Sequence, residues 1–346
     1  MQLKETFTGL DIHKKFIYGV VTDTSGNIIS ERKFKTEPHE MDKFLSMLDR
    51  ESAHIALESC SCWEFVYDYL TDAGFTNVVL ANPFKVRLIA TSKKKTDKHD
   101  AKVLADLLRS NMLPQSYAPE HYIRDQRQLT RHRANMGRIQ GIIKNKIHAV
   151  LIRKGIIVPY DNTFTNEWIE YVKNVDLSLA DKFQMDHYMQ IYRHCEVIKK
   201  KAEARIEEYV QNQPEVKLIM TMPGISYYSG LSIISEIGDM RRFRSAKKLV
   251  CYSGLNTSVS QSAERCHNGR IAKQGNKNLR WMLGQCANIA VMHDSILAKF
   301  YQRIKKKRGH NVAITATARK MLCYIYSMIQ SNIAYQQLQV HKKKAS

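Results

Sequence analysis

The sequence lacks a cysteine pattern that could organise the fold. Its seven cysteines are an odd number, and none belongs to a CxxC pair of the kind that binds zinc; Cys60 and Cys62 are only two residues apart. A disulfide framework is therefore not expected, and this usage favours a reducing cytoplasm.

Long apolar runs are missing as well. The first residues, MQLKETFTGLDIHKK, carry charge at once and contain no signal-peptide core. The longest uncharged run, Met321 to Val340, includes four Gln, one Asn and two Ser. Because such a run is too polar for a lipid core, we expect no membrane segment.

Acidic residues are nearly absent from the last third of the chain. Residues 241–346 hold 21 Lys and Arg against two acids, Glu264 and Asp294, a net charge of +19, whereas the preceding 240 residues carry only +2. A charge excess concentrated in this way is typical of proteins that bind a polyanion, since each neutralised phosphate releases counterions.

The length of 346 residues and the 44% hydrophobic content predict two globular units joined by a connector. Three strand-like segments open the chain, and helical and strand-like segments then alternate. This order predicts an α/β domain with one mixed sheet, which we place at residues 1–158 together with a long final helix.

The middle of the chain favours two long helices. In residues 126–154, Leu129, Met136, Ile143 and Val150 recur every seven positions, and residues 186–210 repeat Tyr188, Cys195, Ala202 and Tyr209 in the same way, with Ile191 and Ile198 between them. This periodicity is typical of coiled coils or helix bundles. We predict a helical, coiled-coil arm that includes residues 159–215.

The last region, residues 216–346, reads as mainly helical. Met222-Pro-Gly-Ile225 is a tight turn inside an apolar helical passage. A helix, a Pro-Gly turn and a second helix resemble a helix-hairpin-helix, in which backbone amides approach phosphates. A plain turn between helices is the alternative.

Four acids stand out by their placement. Asp11 ends the first strand, Glu58 ends the fourth, and Asp97 and Asp100 open a helix on the same face. Strand-end acids and a helix-borne pair can converge at one edge of a sheet, where hard oxygen ligands suit Mg²⁺ or Mn²⁺. Each acid alone could also have a purely structural role. Asp97 and Asp100, for example, could be ordinary acids in the first turn of a helix that Thr96 caps. His13 and His99, which flank the acids, read as ordinary surface histidines or at most as supporting groups.

Together these motifs resemble the DEDD transposases of the insertion-sequence one-hundred-and-ten family, which includes pilin-gene invertases. The acids stand in Gly-Leu-Asp11-Ile-His-Lys, Ala-Leu-Glu58-Ser and Lys-Thr-Asp97-Lys-His-Asp100-Ala. Later segments also match: Met222-Pro-Gly-Ile225, Glu236-Ile-Gly-Asp239, Tyr252-Ser-Gly-Leu255 and the stretch from Gly269 to Lys277. The resemblance implies a ribonuclease-H/RuvC-like fold for the first domain.

The resemblance also implies a serine nucleophile in the C-terminal domain that joins DNA covalently. The family motif falls on Gln261-Ser262, followed here by Ala263 where glycine is usual. Ser262 is the predicted nucleophile, Ser258 and Ser260 are alternates, and Tyr252 is a further candidate of the tyrosine-recombinase type. Without the resemblance, this stretch reads as a polar loop.

The predicted nucleic-acid contacts follow the serine motif. They are Arg265, Arg270, Lys273, Lys277 and Arg280. The resemblance further implies a structured non-coding guide RNA that pairs with donor and target DNA. Because strand exchange needs several cuts, we expect a homodimer that assembles into a tetramer.

We therefore predict a bacterial, nucleoid-associated transposase or site-specific recombinase that uses Mg²⁺ or Mn²⁺. One rival is a nuclease of the Holliday-junction type, which would use the acids and water without a covalent intermediate. The other is a nucleic-acid-binding protein without catalysis. Metal-dependent cleavage and a protein–DNA adduct separate the three.

Overall fold

The computed structural model of the chain describes residues 5–89, 96–262 and 265–338. The chain forms two compact units, Met1–Pro119 and Glu120–Ser346. This division precedes the first of the long helices, whereas the predicted first domain includes that helix up to residue 158. Within the described ranges, none of the helices is both long and apolar enough to cross a membrane.

The first unit contains a six-stranded mixed sheet. Its strands are β1 (Thr6–Ile12), β2 (Phe16–Thr22), β3 (Ile28–Lys35), β4 (Ala53–Glu58), β5 (Asn77–Ala81) and β6 (Gln115–Ser116). They lie in the order β3-β2-β1-β4-β5-β6. β1 is antiparallel to β2 and parallel to β4, which is in turn parallel to β5. This arrangement confirms the predicted mixed sheet and is consistent with a RuvC-like fold.

Helices cover both faces of this sheet. They are α1 (Pro38–Leu45), α2 (Trp63–Asp72), α3 (Pro83–Ile89) and α4 (Asp97–Arg109). On one face Leu10 and Leu57 share a core with Phe44 of α1 and Leu70 of α2. On the other face the small side chain of Ala56 packs with Leu104 of α4. Because side chains alternate along a strand, small residues on β1 and β4 let α4 approach closely.

The second unit is mainly helical and contains one hairpin. Its helices are α5 (His121–Arg153), α6 (Asn166–Lys173), α7 (Leu179–Gln211), α8 (Pro214–Met220), α9 (Tyr227–Ile237), α10 (Ala246–Ser253), α11 (Lys277–His293), α12 (Ser295–Arg308) and α13 (His310–Ser331). The hairpin consists of β7 (Thr257–Ser262) and β8 (Arg265–Ile271). The predicted mainly helical region is confirmed, whereas the hairpin was not predicted.

Two helices of 33 residues, α5 and α7, pack antiparallel along each other. Ile147, late in α5, shares a core with Met189, early in α7. Arg133, early in α5, forms an ion pair with Glu203, late in α7. The two helices therefore lie side by side in opposite directions.

The buried stripe of α7 differs from the predicted heptad. Of the predicted positions, Cys195 and Ala202 are buried, but Ile191 is 43% exposed. Met185, Met189 and Tyr192 occupy the core instead. The sequence pattern favoured Tyr188, whereas the next residue, Met189, points into the interface with α5. Tyr188 is partly buried and packs against the edge of the same core.

The predicted Pro-Gly turn lies between α8 and α9. Gly224 there has a φ of +88°, and a Cβ on it would lie 2.5 Å from the carbonyl oxygen of Cys286 in α11. The turn needs glycine both for its left-handed backbone and for this close contact. Packing against α11 thus explains the motif without a ligand, and its role as a phosphate-binding hairpin stays a prediction.

Candidate active site

Asp11 and Glu58 lie at the same edge of the sheet and point to the same face. In the parallel strands β1 and β4, Leu10 is paired with Leu57. Asp11 directly follows Leu10, and Glu58 directly follows Leu57. Laterally paired residues of parallel strands project to the same side, and the next residue on each strand projects to the other. The two carboxylates therefore project on the face that α4 covers.

A close contact of backbones fixes α4 over this face. A Cβ on Gly9 would lie 1.9 Å from the carbonyl oxygen of Ala101 and 2.7 Å from the amide of Ala105. Asp97 and Asp100 occupy the first turn of the same helix, just before Ala101. Thr96 caps this turn, since its Oγ1 accepts a hydrogen bond from the His99 amide (3.2 Å). The contact at Gly9 thus fixes the turn that carries both acids.

The structure brings Asp11, His13 and Asp97 together. One ligand atom from each lies within 4.8 Å of the other two. His13 Nε2 is 3.2 Å from Asp11 Oδ2 and 3.4 Å from Asp97 Oδ1. Of the two readings of His13, that of a supporting group fits this position, because its partly exposed ring lies between two of the predicted acids. Its place two residues after a strand-end aspartate was the signal available in the sequence.

One carboxylate of the cluster, that of Asp11, is buried, whereas Asp97 is partly exposed. Asp11 is only 8% exposed. Burial raises the pKa of its carboxyl above the ordinary value; His13 opposes this rise, and the charges of Asp100 and Asp97 add to it. The nearest lysine ammonium recorded for the cluster, Lys33 Nζ, is 4.0 Å from Asp97. A buried carboxylate beside further carboxylates fits a hard divalent cation, which would offset this repulsion.

The predicted nucleophile lies in the hairpin of the second unit. Ser262 is the last residue of β7 and is paired in register with Arg265, the first residue of β8. The side chains of Ser258, Ser260, Ser262, Arg265 and Arg270 lie outside the described residues, as do residues 263 and 264. The predicted polar loop is thus a pair of strands.

Backbone contacts hold the base of the hairpin closed. The Asn276 amide donates to the Tyr252 carbonyl (2.8 Å), and the Ala272 amide donates to the Asn256 carbonyl (2.8 Å). A Cβ on Gly275 would lie 2.4 Å from the same Tyr252 oxygen. The segments before β7 and after β8 therefore touch directly, which limits how far the hairpin can tilt.

Buried Glu236 connects this base to the long helices. Its carboxylate accepts hydrogen bonds from Arg131 Nε (2.6 Å) and Nη2 (2.8 Å), and from Nδ2 of Asn276 (2.7 Å). Asn278 Nδ2 donates a fourth (3.2 Å). Burial raises the pKa of Glu236, but Arg131, Asn276 and Arg127 together outweigh it and hold the pKa below its ordinary value. One carboxylate thus joins α5, α9 and the start of α11.

Tyr252 is part of the same network. Its hydroxyl donates to the carbonyl oxygen of Glu236 (3.0 Å). Arg127 Nη2 donates to that oxygen as well (2.9 Å). The phenol is therefore engaged in holding α9 against α10, and this position does not favour the alternative of a tyrosine nucleophile.

The predicted nucleic-acid contacts that the structure describes differ in their surroundings. Lys273 and Lys277 are exposed. Arg280 is half-buried, and its Nη1 donates to the Ser253 carbonyl (3.0 Å) at the base of the hairpin. Its guanidinium therefore braces the hairpin, whereas the two ammonium groups face solvent.

Comparisons with known proteins agree with this geometry. Residues 8–154 match a family model for DEDD transposases of the IS110 type, and residues 216–302 match the transposase IS116/IS110/IS902 family. The transposase for insertion sequence element IS1328 of Yersinia enterocolitica is 22% identical over 91% of this chain and 94% of its own length. The transposase for IS1533 of Leptospira borgpetersenii is 26% identical over 70% and 73%.

The chain belongs to the IS110 family of DEDD transposases. It is similar as well to the pilin gene-inverting protein of Moraxella bovis, at 33% identity over 33% of the chain and 37% of that protein. The transposase is thus an enzyme that acts on DNA. Its DEDD domain indicates the use of a divalent metal, for which Asp11, His13 and Asp97 are candidate ligands.

The contact between Gly9 and α4 gives a first prediction. Gly9→Ala should destabilise the transposase by about 2–3 kcal/mol, because the new methyl group must displace helix backbone rather than a flexible side chain. Gly141→Ala is the control, since its Cβ would meet nothing within 4 Å; it should stabilise α5 by about 0.5–1 kcal/mol. Equilibrium unfolding in urea measures both. Equal midpoints for Gly9→Ala and wild type would show that α4 does not depend on this contact.

Charge repulsion in the acidic cluster gives a second prediction. In metal-free buffer, Asp11→Asn should raise the melting temperature by a few degrees, since it removes a buried like charge. Mn²⁺ should raise the melting temperature of wild type but not of Asp11→Asn. Asp106→Asn is the control. Asp106 lies on α4, as Asp97 does, but it pairs with Lys102 and not with the cluster. A metal-induced shift that survives in Asp11→Asn would exclude Asp11 as a ligand.

The network around Glu236 gives a third prediction. Glu236→Gln should cost about 2–3 kcal/mol at pH 7, because it leaves Arg131 with a weaker partner in a buried site. A depressed pKa stabilises the fold above the ordinary glutamate value of 4.5, and this contribution disappears as pH falls through the folded pKa. The difference in the free energy of unfolding between wild type and Glu236→Gln should therefore become smaller at acidic pH. The exposed Glu170→Gln should change stability little at either pH; a constant gap for Glu236→Gln would contradict a charged Glu236.

Proposed function

We propose that this transposase cuts and rejoins DNA through a Mg²⁺-dependent site and a covalent intermediate on Ser262. The site would comprise Asp11, Glu58, Asp97 and Asp100. The single observation that carries the proposal is the cluster of Asp11, His13 and Asp97 at the sheet edge. Mn²⁺ would serve in place of Mg²⁺, because both prefer carboxylate oxygens.

The side chains of the first unit have a defined task in this proposal. The carboxylates of Asp11 and Asp97 would hold the cation, and Glu58 and Asp100 would complete the set. A bound divalent cation would supply Lewis acidity to a phosphate oxygen. His13, in contact with two of the acids, would keep their carboxylates oriented.

The covalent step conserves the energy of the phosphodiester. The Ser262 oxygen would form a bond to phosphorus while one bond from phosphorus to a deoxyribose oxygen breaks. The departing deoxyribose oxygen takes up a proton, and the serine hydroxyl gives one up. Because the product is again a phosphate diester, attack by another DNA hydroxyl can reverse the step without ATP. The chain has no GxxxxGK[ST] motif for such a nucleotide.

Position on a braced hairpin supports Ser262 as the nucleophile. A reacting hydroxyl must be held close to its final geometry, and a free polar loop would not do this. Here the base of the hairpin is closed by backbone hydrogen bonds, and Asn276 ties it to Glu236. Ser262 belongs to the second unit and the acids to the first, so the proposal requires both units in one reaction.

Recognition of DNA sequence would come from a structured non-coding RNA. The net charge of +19 over residues 241–346 suits backbone contacts that do not read sequence. Of the proposed contacts, Lys273 and Lys277 are exposed, while Arg280 braces the hairpin; Arg265 and Arg270 complete the proposed set. If base pairing with the RNA recognises the DNA sequence, the protein has to recognise only the shape and the charge of the nucleic acid.

Assembly is the last element of the proposal. Residues 1–158 would form the RuvC-like domain, residues 159–215 would belong to a coiled-coil arm, and residues 216–346 would carry the serine. The antiparallel pair α5–α7 gives that arm length and stiffness. Since strand exchange needs two DNA partners cut on both strands, two dimers would form the working tetramer.

The decisive experiment looks for a protein–DNA adduct. Wild type, incubated with labelled element ends, guide RNA and Mg²⁺, should give an adduct on denaturing electrophoresis. Mass spectrometry should find the DNA-linked peptide centred on Ser262. Ser262→Ala should keep nucleic-acid binding and lose the adduct, and Ser260→Ala and Ser258→Ala are the matched controls in the same strand. Asp11→Ala, Glu58→Ala, Asp97→Ala and Asp100→Ala should each bind but not cleave.

The outcomes separate the candidate functions. A linked peptide at Ser258, Ser260 or Tyr252 would move the nucleophile. Metal-dependent cleavage without any linked peptide would favour the Holliday-junction type of nuclease. Wild-type recombination by all four acid variants would refute the metal site.

A further inference from the structure

Three helices of the second unit, α5, α9 and α11, enclose a groove of about 990 Å³. We name it the α5–α11 groove and define it by Arg133, Arg138, Tyr228, Lys277, Trp281 and Gln285. It does not include Ser262 or any of the four acids. The proposed reaction therefore gives this groove no task.

The charged side chains that line the groove are all basic. Four Arg and Lys side chains line it, and its lining includes no Asp or Glu. Arg131 and Arg133 are paired with Glu236 and Glu203 outside it. Arg138 donates to the Asn135 side chain (3.1 Å), and within the described ranges neither Arg138 nor Lys277 forms a salt bridge. Two cationic groups therefore remain for an anion.

An exposed aromatic ring lies beside these cations. Trp281 lines the groove and is 47% exposed, although an indole on a helix usually packs into a core. One turn further along α11, Gln285 presents an amide that can both donate and accept hydrogen bonds. Free cations, an open indole and side-chain amides are the groups that hold phosphates, stack on a base and contact its edge.

We propose that the α5–α11 groove binds an unpaired stretch of nucleic acid. One base would stack on Trp281, and the flanking phosphates would contact Arg138 and Lys277. A duplex fits less well, because its bases are stacked on each other and offer no free face to an indole. A protein partner is less favoured, since the cations of the groove would need acidic residues opposite them.

The groove begins close to the serine hairpin in the chain. Asn276, which ties the base of the hairpin to Glu236, immediately precedes Lys277. A strand in the groove would therefore pass beside the base of the hairpin. The inference rests on the proposed function only in taking nucleic acid as the ligand, and Ser262 has no part in it.

Binding of labelled oligonucleotides to the full chain tests the groove. The probes are a 12-nucleotide oligo(U), a 12-nucleotide oligo(dT) and a 12-base-pair duplex. Trp281→Ala should weaken binding of at least one single strand about tenfold or more, the loss expected for one stacked base. Trp281→Phe should retain most of the affinity, and duplex binding should change less than about twofold.

The matched control removes another exposed aromatic ring. Phe183 is 68% exposed on α7 and does not line the groove, so Phe183→Ala should bind all probes as wild type does. Arg138→Gln with Lys277→Gln should reduce the salt dependence of single-strand binding by about 0.7 in logarithmic slope per phosphate contact. Which of the two single strands loses more with Trp281→Ala identifies RNA or DNA as the ligand.

The results that would overturn the inference are distinct from failure of the serine mechanism. Unchanged single-strand binding by Trp281→Ala, or an equal loss for duplex, would refute the groove. A shift of Trp281→Ala to a smaller oligomer with unchanged binding would assign the surface to a second copy of the chain. Single-strand binding that depends on Trp281 in a protein that forms no Ser262 adduct would support the groove and refute only the serine step.

Discussion

The contact between Gly9 and the backbone of α4 is the constraint on which the cluster of Asp11, His13 and Asp97 depends. Carboxylates repel one another, so Asp11 and Asp97 would separate if packing did not hold them. A helix can lie this close to β1 only where the strand has no Cβ, and Ala101 and Ala105 keep the helix side equally small. Repulsion between the acids is therefore opposed by packing a few residues away. This repulsion lowers the stability of the first unit, and a bound cation would offset it.

Two of the buried carboxylates of the transposase, Asp11 and Glu236, have opposite surroundings. The pKa of Asp11 is raised, because burial and neighbouring acids disfavour its charge. The pKa of Glu236 is lowered, because Arg131 and Asn276 outweigh burial. Fixed partners occupy Glu236 fully and leave no room for a ligand, so its role is to join helices. Among the residues that the structure describes, the close hydrogen-bond partner of Asp11 is His13, and its charge could also be offset by a bound cation. This difference, rather than burial itself, separates a carboxylate that joins helices from a candidate metal ligand.

The sequence predicted the first unit well because its signals are local. β-branched strands, turn residues and the cap at Thr96 each act over a few positions, and the order Asp11, Glu58, Asp97 then specifies one sheet edge. The α7 stripe and the hairpin were harder. How deeply Tyr188 and Met189 are buried depends on the facing residues of α5, such as Ile147, which lie far away in the chain. β7 and β8 are rich in Ser, Gln and Arg, and what closes their base is a set of contacts with α10 and α11. His13 was underrated for a similar reason, since only the folded chain shows that α4 brings Asp97 to it.

The link from Glu236 to Asn276 suggests why the second unit combines long helices with a short hairpin. Asn276 donates to Glu236 with its side chain and to Tyr252 with its backbone. Arg131 reaches the same carboxylate from α5. A displacement of α5 must therefore stretch short, buried, charge-assisted hydrogen bonds or move the base of the hairpin with it. Through Glu236, short hydrogen bonds thus link the long helix α5 to the base of the hairpin that contains Ser262, within one unit.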